Sequence, residues 1–179
     1  MSRIGKMPVS IPEGIEVIQR SEVLEIKGPL GELCLSFEAA KCLEVQIQDS
    51  MITLSPREQT KQARSLWGTY RSLLEQKMIG VSQGYVTNLE LVGVGYKASR
   101  EGNLLVLKVG YSHEIRHVIP EGITISCVKP TYLSIRGIDK QKVNLEAARL
   151  RAYKKPEPYK GKGILYENEK IKLKEGKKK

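Results

Sequence analysis

The stretch Leu43–Gly80, LEVQIQDSMITLSPREQTKQARSLWGTYRSLLEQKMIG, decides the fold class. Its first part alternates. Leu43, Val45 and Ile47 fall on one face and Glu44 and Gln46 on the other, and Met51–Leu54 follows after a polar turn, the pattern of a β-hairpin. Its second part changes period. Ala63, Leu66, Trp67, Tyr70, Leu73, Leu74 and Met78 return every three or four residues, as they would along one face of an α-helix. Ser55-Pro56-Arg57-Glu58 reads as a capping box with proline at the first helical position, which starts the helix there, and Gly80 reads as its stop. An apolar stripe this wide must cover something, and the hairpins before it supply a sheet.

The same reading extends outward in both directions. Upstream, Ile15–Ile18, Val23–Ile26 and Leu33–Phe37 are short apolar runs separated by Gln19–Glu22 and by Gly28-Pro29-Leu30-Gly31. Downstream the order repeats. Val86–Lys97 and Leu104–Val109 read as a hairpin about Ser99–Asn103, and Ile123–Val128 and Tyr132–Arg136 as another about Lys129-Pro130. A second helix opens at Gly137-Ile138-Asp139 and runs to about Tyr153, with Val143, Ala147 and Leu150 inward. The expectation is an α+β fold of two related domains, residues 1–81 and 82–153, each a mostly antiparallel β-sheet covered by one main helix. Residues 154–179 show no core-forming pattern and are expected to be a basic, extended C-terminal tail. Ile11-Pro12-Glu13-Gly14-Ile15 recurs as Ile119-Pro120-Glu121-Gly122-Ile123, but out of phase with the structural repeat, so it supports duplication only weakly.

Composition narrows the function classes. Of 179 residues, 40% are hydrophobic and 28% charged, ordinary for a globular protein and too apolar for a disordered chain. No apolar run approaches the roughly 18 residues of a membrane span, and nothing in the N-terminal residues predicts a secretory signal. Three cysteines without a CxxC argue against a disulfide framework or zinc knuckle and fit a reducing compartment. The net charge of +10 is unevenly placed. Residues 1–81 hold ten basic and ten acidic side chains, residues 82–179 twenty and ten, and residues 140–179 alone fourteen and five. The second half should seek a polyanion, and the first half should not.

Two motifs look catalytic. His113-Glu114-Ile115-Arg116-His117 matches the zinc-hydrolase pattern HExxH, which needs a helix to bring both imidazoles to one metal. Tyr111, His113, Ile115, His117 and Ile119 alternate between Gly110 and Pro120, so an edge strand is expected, with the two rings about 13 Å apart at ~3.3 Å per residue. Gly93-Val94-Gly95-Tyr96-Lys97-Ala98 matches a dinucleotide fingerprint, but a turn and a strand follow where a helix is required, so the glycines are expected to mark a bulge or a close backbone approach. No cofactor, metal or catalytic residue is expected.

The stretch that matters runs from Arg149 to Ile164. Arg149, Arg151, Lys154, Lys155, Lys160 and Lys162 can neutralise phosphates, while Tyr153 and Tyr159 offer aromatic faces to bases or ribose. Pro156 and Pro158 keep the loop extended, and Gly161 and Gly163 would let backbone amides approach a sugar–phosphate. Lys142 adds to the cationic helix before it, and Lys177, Lys178 and Lys179 to the tail after it.

Lys155-Pro-Glu-Pro-Tyr-Lys-Gly-Lys-Gly163 resembles the signature of the family of ribosomal protein six of the large subunit, bacterial or organellar type. The resemblance continues through Ser2-Arg3-Ile4-Gly5-Lys6, Lys27-Gly28-Pro29-Leu30-Gly31, Gly80-Val81-Ser82-Gln83-Gly84, Leu91–Ala98, Val109–His113 and Gly137–Gln141, nearly the whole chain. Leu30, Asn144 and Leu165 depart from the family pattern. The resemblance implies two related α+β domains and a structural, non-catalytic protein bound to 23S-type rRNA. It implies a place near the stalk base and the sarcin–ricin loop, beside neighbouring large-subunit proteins and transiently met by elongation factors. Tyr96 and Lys97 would lie on the hairpin side of the RNA face, with Tyr159, Lys160 and Lys162 in the proline–glycine loop. The expected location is the ribosome, in bacterial cytoplasm or plastid stroma, with no membrane and no homo-oligomer. A free-standing RNA-binding regulator is the alternative, and a zinc hydrolase using His113, Glu114 and His117 a weaker one.

Overall fold

The computed structural model describes residues 2–48 and 50–176. Its contacts divide the chain into two compact units, residues up to Gly84 with Ile138–Lys140, and Tyr85–Gly137 with the chain from Gln141 onward. The first unit holds β1 (Val9–Ser10), β2 (Glu16–Arg20), β3 (Val23–Gly28), β4 (Gly31–Ser36), a 3-10 turn (Glu38–Ala40), β5 (Leu43–Gln48), β6 (Met51–Pro56) and α1 (Lys61–Ser82). The second holds β7 (Tyr85–Val92), β8 (Lys97–Glu101), β9 (Leu104–Lys108), β10 (Ile115–Val118), β11 (Ile123–Lys129), β12 (Tyr132–Gly137), α2 (Lys140–Tyr153) and β13 (Gly163–Tyr166). All pairings are antiparallel, in sheets ordered β2-β3-β4, β1-β6-β5, β10-β9-β8 and β11-β12-β7-β13. The α+β expectation holds, and each unit repeats one topology. Its second to fourth strands form a meander, and its first, fifth and sixth form a second sheet with the sixth in the middle.

Each helix buries the face its sequence marks. Ala63, Trp67, Leu74, Met78 and Val81 of α1 are buried, and the sheets of the same unit contribute Leu24, Ile26, Ile52 and Leu54 to the core. Val143, Ala147 and Leu150 of α2 join Leu89, Leu105, Leu107, Ile125, Leu133 and Ile135. Each fully buried leucine or isoleucine contributes about 1.5–3 kcal/mol over leaving it in water.

The structure corrects several boundaries. Pro56 is the last residue of β6, opposite Leu43, and α1 starts five residues later, with the Thr60 hydroxyl accepting from the Ala63 amide at 3.1 Å. Gly80 lies inside α1, which continues because Val81 is buried and its carbonyl accepts from the Leu30 amide at 3.1 Å. Val86–Lys97 is not one strand. β7 pairs with β12 and β8 with β9, and Gly93 and Gly95 fall in the crossover between two sheets, not in a bulge. β8 runs to Glu101, which leaves only Gly102-Asn103 for the expected Ser99–Asn103 turn. The expected strand through His113 is confined to Ile115–Val118.

The tail is not devoid of core. β13 pairs with the free side of β7 from Gly163↔Val92 to Tyr166↔Leu89, and Ile164 is fully buried. The Ile-Pro-Glu-Gly-Ile echo is a shared turn. Gly14 and Gly122 adopt φ +80 and +79, and in each copy the second isoleucine amide bonds the proline carbonyl at 3.3 Å. Glycine suits the left-handed position of such a turn, so the echo reports local geometry rather than ancestry.

Candidate nucleic-acid interface

The cationic stretch begins where α2 must end, since Pro156 bars a helix from continuing. From there the chain folds into a tight loop. Glu157 donates its amide to the Lys162 carbonyl at 2.8 Å, Gly161 to the Glu157 carbonyl at 3.0 Å, and Ile164 to the Lys154 carbonyl at 2.8 Å. The loop is closed by β13, which is stapled in turn. Glu167 accepts from Asn88 Nδ2 at 2.7 Å and Tyr132 Oη at 2.8 Å, and both bonds hold its carboxyl below the usual range.

This folding opens an aromatic and cationic depression of about 510 Å³ lined by Tyr96, Tyr111, Ala152, Tyr153, Lys154, Lys155, Glu157 and Lys162. Tyr96 is seated by two glycines. A Cβ on Gly93 would stand 2.9 Å from its ring and one on Gly110 3.1 Å, which is the close approach expected of the Gly93-Val94-Gly95 run. Lys154 Nζ lies 4.4 Å from the Tyr111 ring centroid, a cation–π seat. Lys155, Lys160 and Lys162 have no ion-pair partner among the described residues. The Glu114 carboxyl is lowered, first by its hydrogen bond from Lys108 and then by that ammonium's charge, with Arg116 and Lys97 adding to the effect.

Of the residues singled out in the sequence, Tyr96, Tyr153, Lys154, Lys155 and Lys162 come together around the depression. Lys97, Lys142, Arg149, Tyr159 and Lys160 are exposed but do not line it. Arg151 is engaged internally. Its guanidinium meets the Glu169 carboxylate at 3.0 and 2.5 Å and lies 5.7 Å from the Tyr166 ring centroid. Gly161 and Gly163 are buried, so neither offers an open backbone approach to phosphate; Gly161 suits its left-handed φ of +70, and Gly163 the loop's own packing. A Cβ on Gly163 would lie 2.6 Å from Pro156 Cα. Lys177, Lys178 and Lys179 lie outside the described residues. Tyr111 was missed as a lining residue because its place in an alternating run marked it as part of a strand. The phrase Val109-Gly110-Tyr111 carried the available signal.

The HExxH residues have separate engagements. Glu114 pairs with Lys108 at 2.5 Å, His113 stacks on Tyr111 with centroids 6.2 Å apart, and His117 turns inward to Glu146 and Tyr153. His117 does lie on an edge strand, β10, but its ring is buried. No group of three or more His, Cys, Asp or Glu among the described residues could hold a metal ion.

Comparison with known proteins supplies the family. The family model for ribosomal protein L6 matches residues 11–84 and 92–167. The chain is 52% identical over 179 residues to the large ribosomal subunit protein uL6 of Rhodospirillum centenum, covering 100% of both chains. It is 49% identical, again over 100% of both chains, to the proteins of the same name from Zymomonas mobilis and Paramagnetospirillum magneticum. With full-length likeness, matching topology in both units and the family's loop signature folded around a cationic depression, the chain belongs to the ribosomal protein L6 family, in its bacterial form.

Proposed function

We propose that this chain is a structural constituent of the large ribosomal subunit that binds 23S-type rRNA through its second unit and catalyses nothing. The observation that carries the reading is the depression that gathers three tyrosines and three lysines in the half of the chain that holds the whole charge excess. Folded RNA is recognised by its backbone, its 2′-hydroxyls and stacking on exposed bases, and cations interleaved with aromatic rings meet those needs. The names of the bacterial relatives support the ribosome of a bacterial cytoplasm as its location. A position near the stalk base and the sarcin–ricin loop, beside other large-subunit proteins and within reach of elongation factors, belongs to the same proposal and rests on the family resemblance. No helix among the described residues is long and apolar enough to cross a membrane.

The test is binding of the full chain to a 23S-type rRNA transcript across a salt series. If about eight cations neutralise phosphates, log affinity falls against log salt with a slope of roughly −6 to −7. A slope near zero overturns the reading. Recovery in equal stoichiometry with large subunits sedimented at moderate salt separates a ribosomal constituent from a free-standing RNA-binding regulator.

A further inference from the structure

One buried polar cluster is not accounted for by RNA binding itself. His117 on β10 faces the inner side of α2, where Glu146 is 1% exposed. His117 Nε2 and Glu146 Oε1 are both buried, meet each other as an ion pair, and have no hydrogen-bond partner among the described residues. On the other side of the ring, His117 Nδ1 lies 2.9 Å from Tyr153 Oη, with the two rings edge-on and their centroids 5.7 Å apart. Arg149 Nη1 approaches the second Glu146 oxygen at 3.5 Å. The residue opposite His117 on β9 is Leu105, fully buried and apolar. The chain of contacts then reaches the surface. The Tyr153 carbonyl accepts from Tyr111 Oη at 2.9 Å, and Tyr111 carries Lys154 over its ring.

We infer that Glu146, His117 and Tyr153 form a positioning relay that fixes the last turn of α2 and, through Tyr111, holds Lys154 in the cationic depression. An unpaired carboxylate with this burial would be costly, so it is held by partners that donate to it. An ionised carboxylate only accepts, which puts a proton on Nε2. Whenever the ring is neutral, Nδ1 is then left as the acceptor for the Tyr153 hydroxyl, and the tautomer is fixed by the structure. Glu146 and His117 are buried and do not line the depression. They act through Tyr153, at the base of the loop. The inference rests on the rRNA-binding reading for its consequence but not for its geometry.

Two measurements on the full chain separate those parts. The chain has two histidines, so ¹⁵N spectra of the protein and of His113→Gln assign the His117 ring. The expected result is a protonated Nε2 and a hydrogen-bond-accepting Nδ1. In Tyr153→Phe the Nδ1 signal moves, and the Lys154 side-chain methylene signals lose the ring-current shift that Tyr111 imposes. A neutral ring protonated on Nδ1, or a Lys154 shift untouched by Tyr153→Phe, overturns the relay whether or not RNA binds. The second measurement is affinity for a 23S-type rRNA transcript. Tyr153→Phe and Glu146→Leu should weaken it roughly fivefold, the equivalent of one net hydrogen bond. Glu146→Gln, which keeps an acceptor oxygen, should stay within about twofold. Wild-type affinity in Tyr153→Phe overturns the positioning role even if the spectra are as expected, and that variant carries the test if Glu146→Leu fails to fold. Failure of the unmodified chain to bind the transcript refutes the proposed function instead, and the spectra still decide the relay.

Discussion

Gly163 and Pro156 stand so close that a Cβ on the glycine would lie 2.6 Å from the proline Cα and 2.9 Å from the Lys154 carbonyl oxygen. Backbone cannot swing aside as a flexible side chain can. Gly163 also has φ +156, at the edge of the region L side chains avoid. Gly163→Ala should therefore pull β13 from β7 or push the Lys154–Pro156 segment outward, at a cost of about 1–3 kcal/mol. Thermal unfolding reads the cost. A fully stable variant would show that the contact is not tight.

The Arg151–Glu169 pair ties the end of α2 to the chain beyond β13, and the Glu169 carboxylate also accepts from the Tyr166 amide at 3.0 Å. The hydrogen bond from Arg151 is the main reason the Glu169 carboxyl titrates below its ordinary range. A lowered folded-state value means stability that is complete above the unfolded carboxylate range and lost as pH falls through the folded value. Glu169→Gln should cost about 1.5 kcal/mol near neutrality. The difference in Tm between the two proteins should shrink on acidification below about pH 4.3. A gap that stays constant with pH would assign the loss to something other than ionisation.

Trp67 donates Nε1–H to the buried Leu54 carbonyl at 2.6 Å. Trp67→Phe keeps most of the apolar bulk but leaves that acceptor without its partner, for an expected loss of about 1–3 kcal/mol. Denaturant unfolding followed by circular dichroism measures it. A loss below about 0.5 kcal/mol would mean that the carbonyl finds another donor.

Charge and stacking should separate in the salt dependence of rRNA binding. Lys155→Gln removes one cation from the depression and should flatten the slope by about 0.7–0.9. Tyr96→Leu removes a ring and no charge, so it should lower affinity with the slope unchanged. Point substitutions serve better than removal of residues 154–179, which would also take away β13 and with it the buried Ile164.

What the sequence reveals and hides follows from the range of the forces involved. Apolar periodicity placed both helices, because burial repeats along the whole of α1 and α2. The start of α1 differs from the expectation because Ser55-Pro56-Arg57-Glu58 satisfies a capping pattern while β6 needs Ser55 and Pro56 to complete its ladder to Pro56↔Leu43. β13 was missed because four residues in a lysine-rich stretch carry little pattern. Its strand character comes from β7, more than seventy residues earlier. Within the depression, charge and loop chemistry were legible, but Arg151 could not be separated from its neighbours until Glu169 was seen beside it. His117 and Glu146 are twenty-nine residues apart, and nothing local marks them as a pair.

The position of β13 bears on synthesis. Of the strands among the described residues, β13 leaves the translating machinery last, and it completes the sheet begun by β7 and closes the lysine-rich loop. Since domains fold from the N-terminal side during synthesis, an unfinished polypeptide can acquire its first module while that loop is still open.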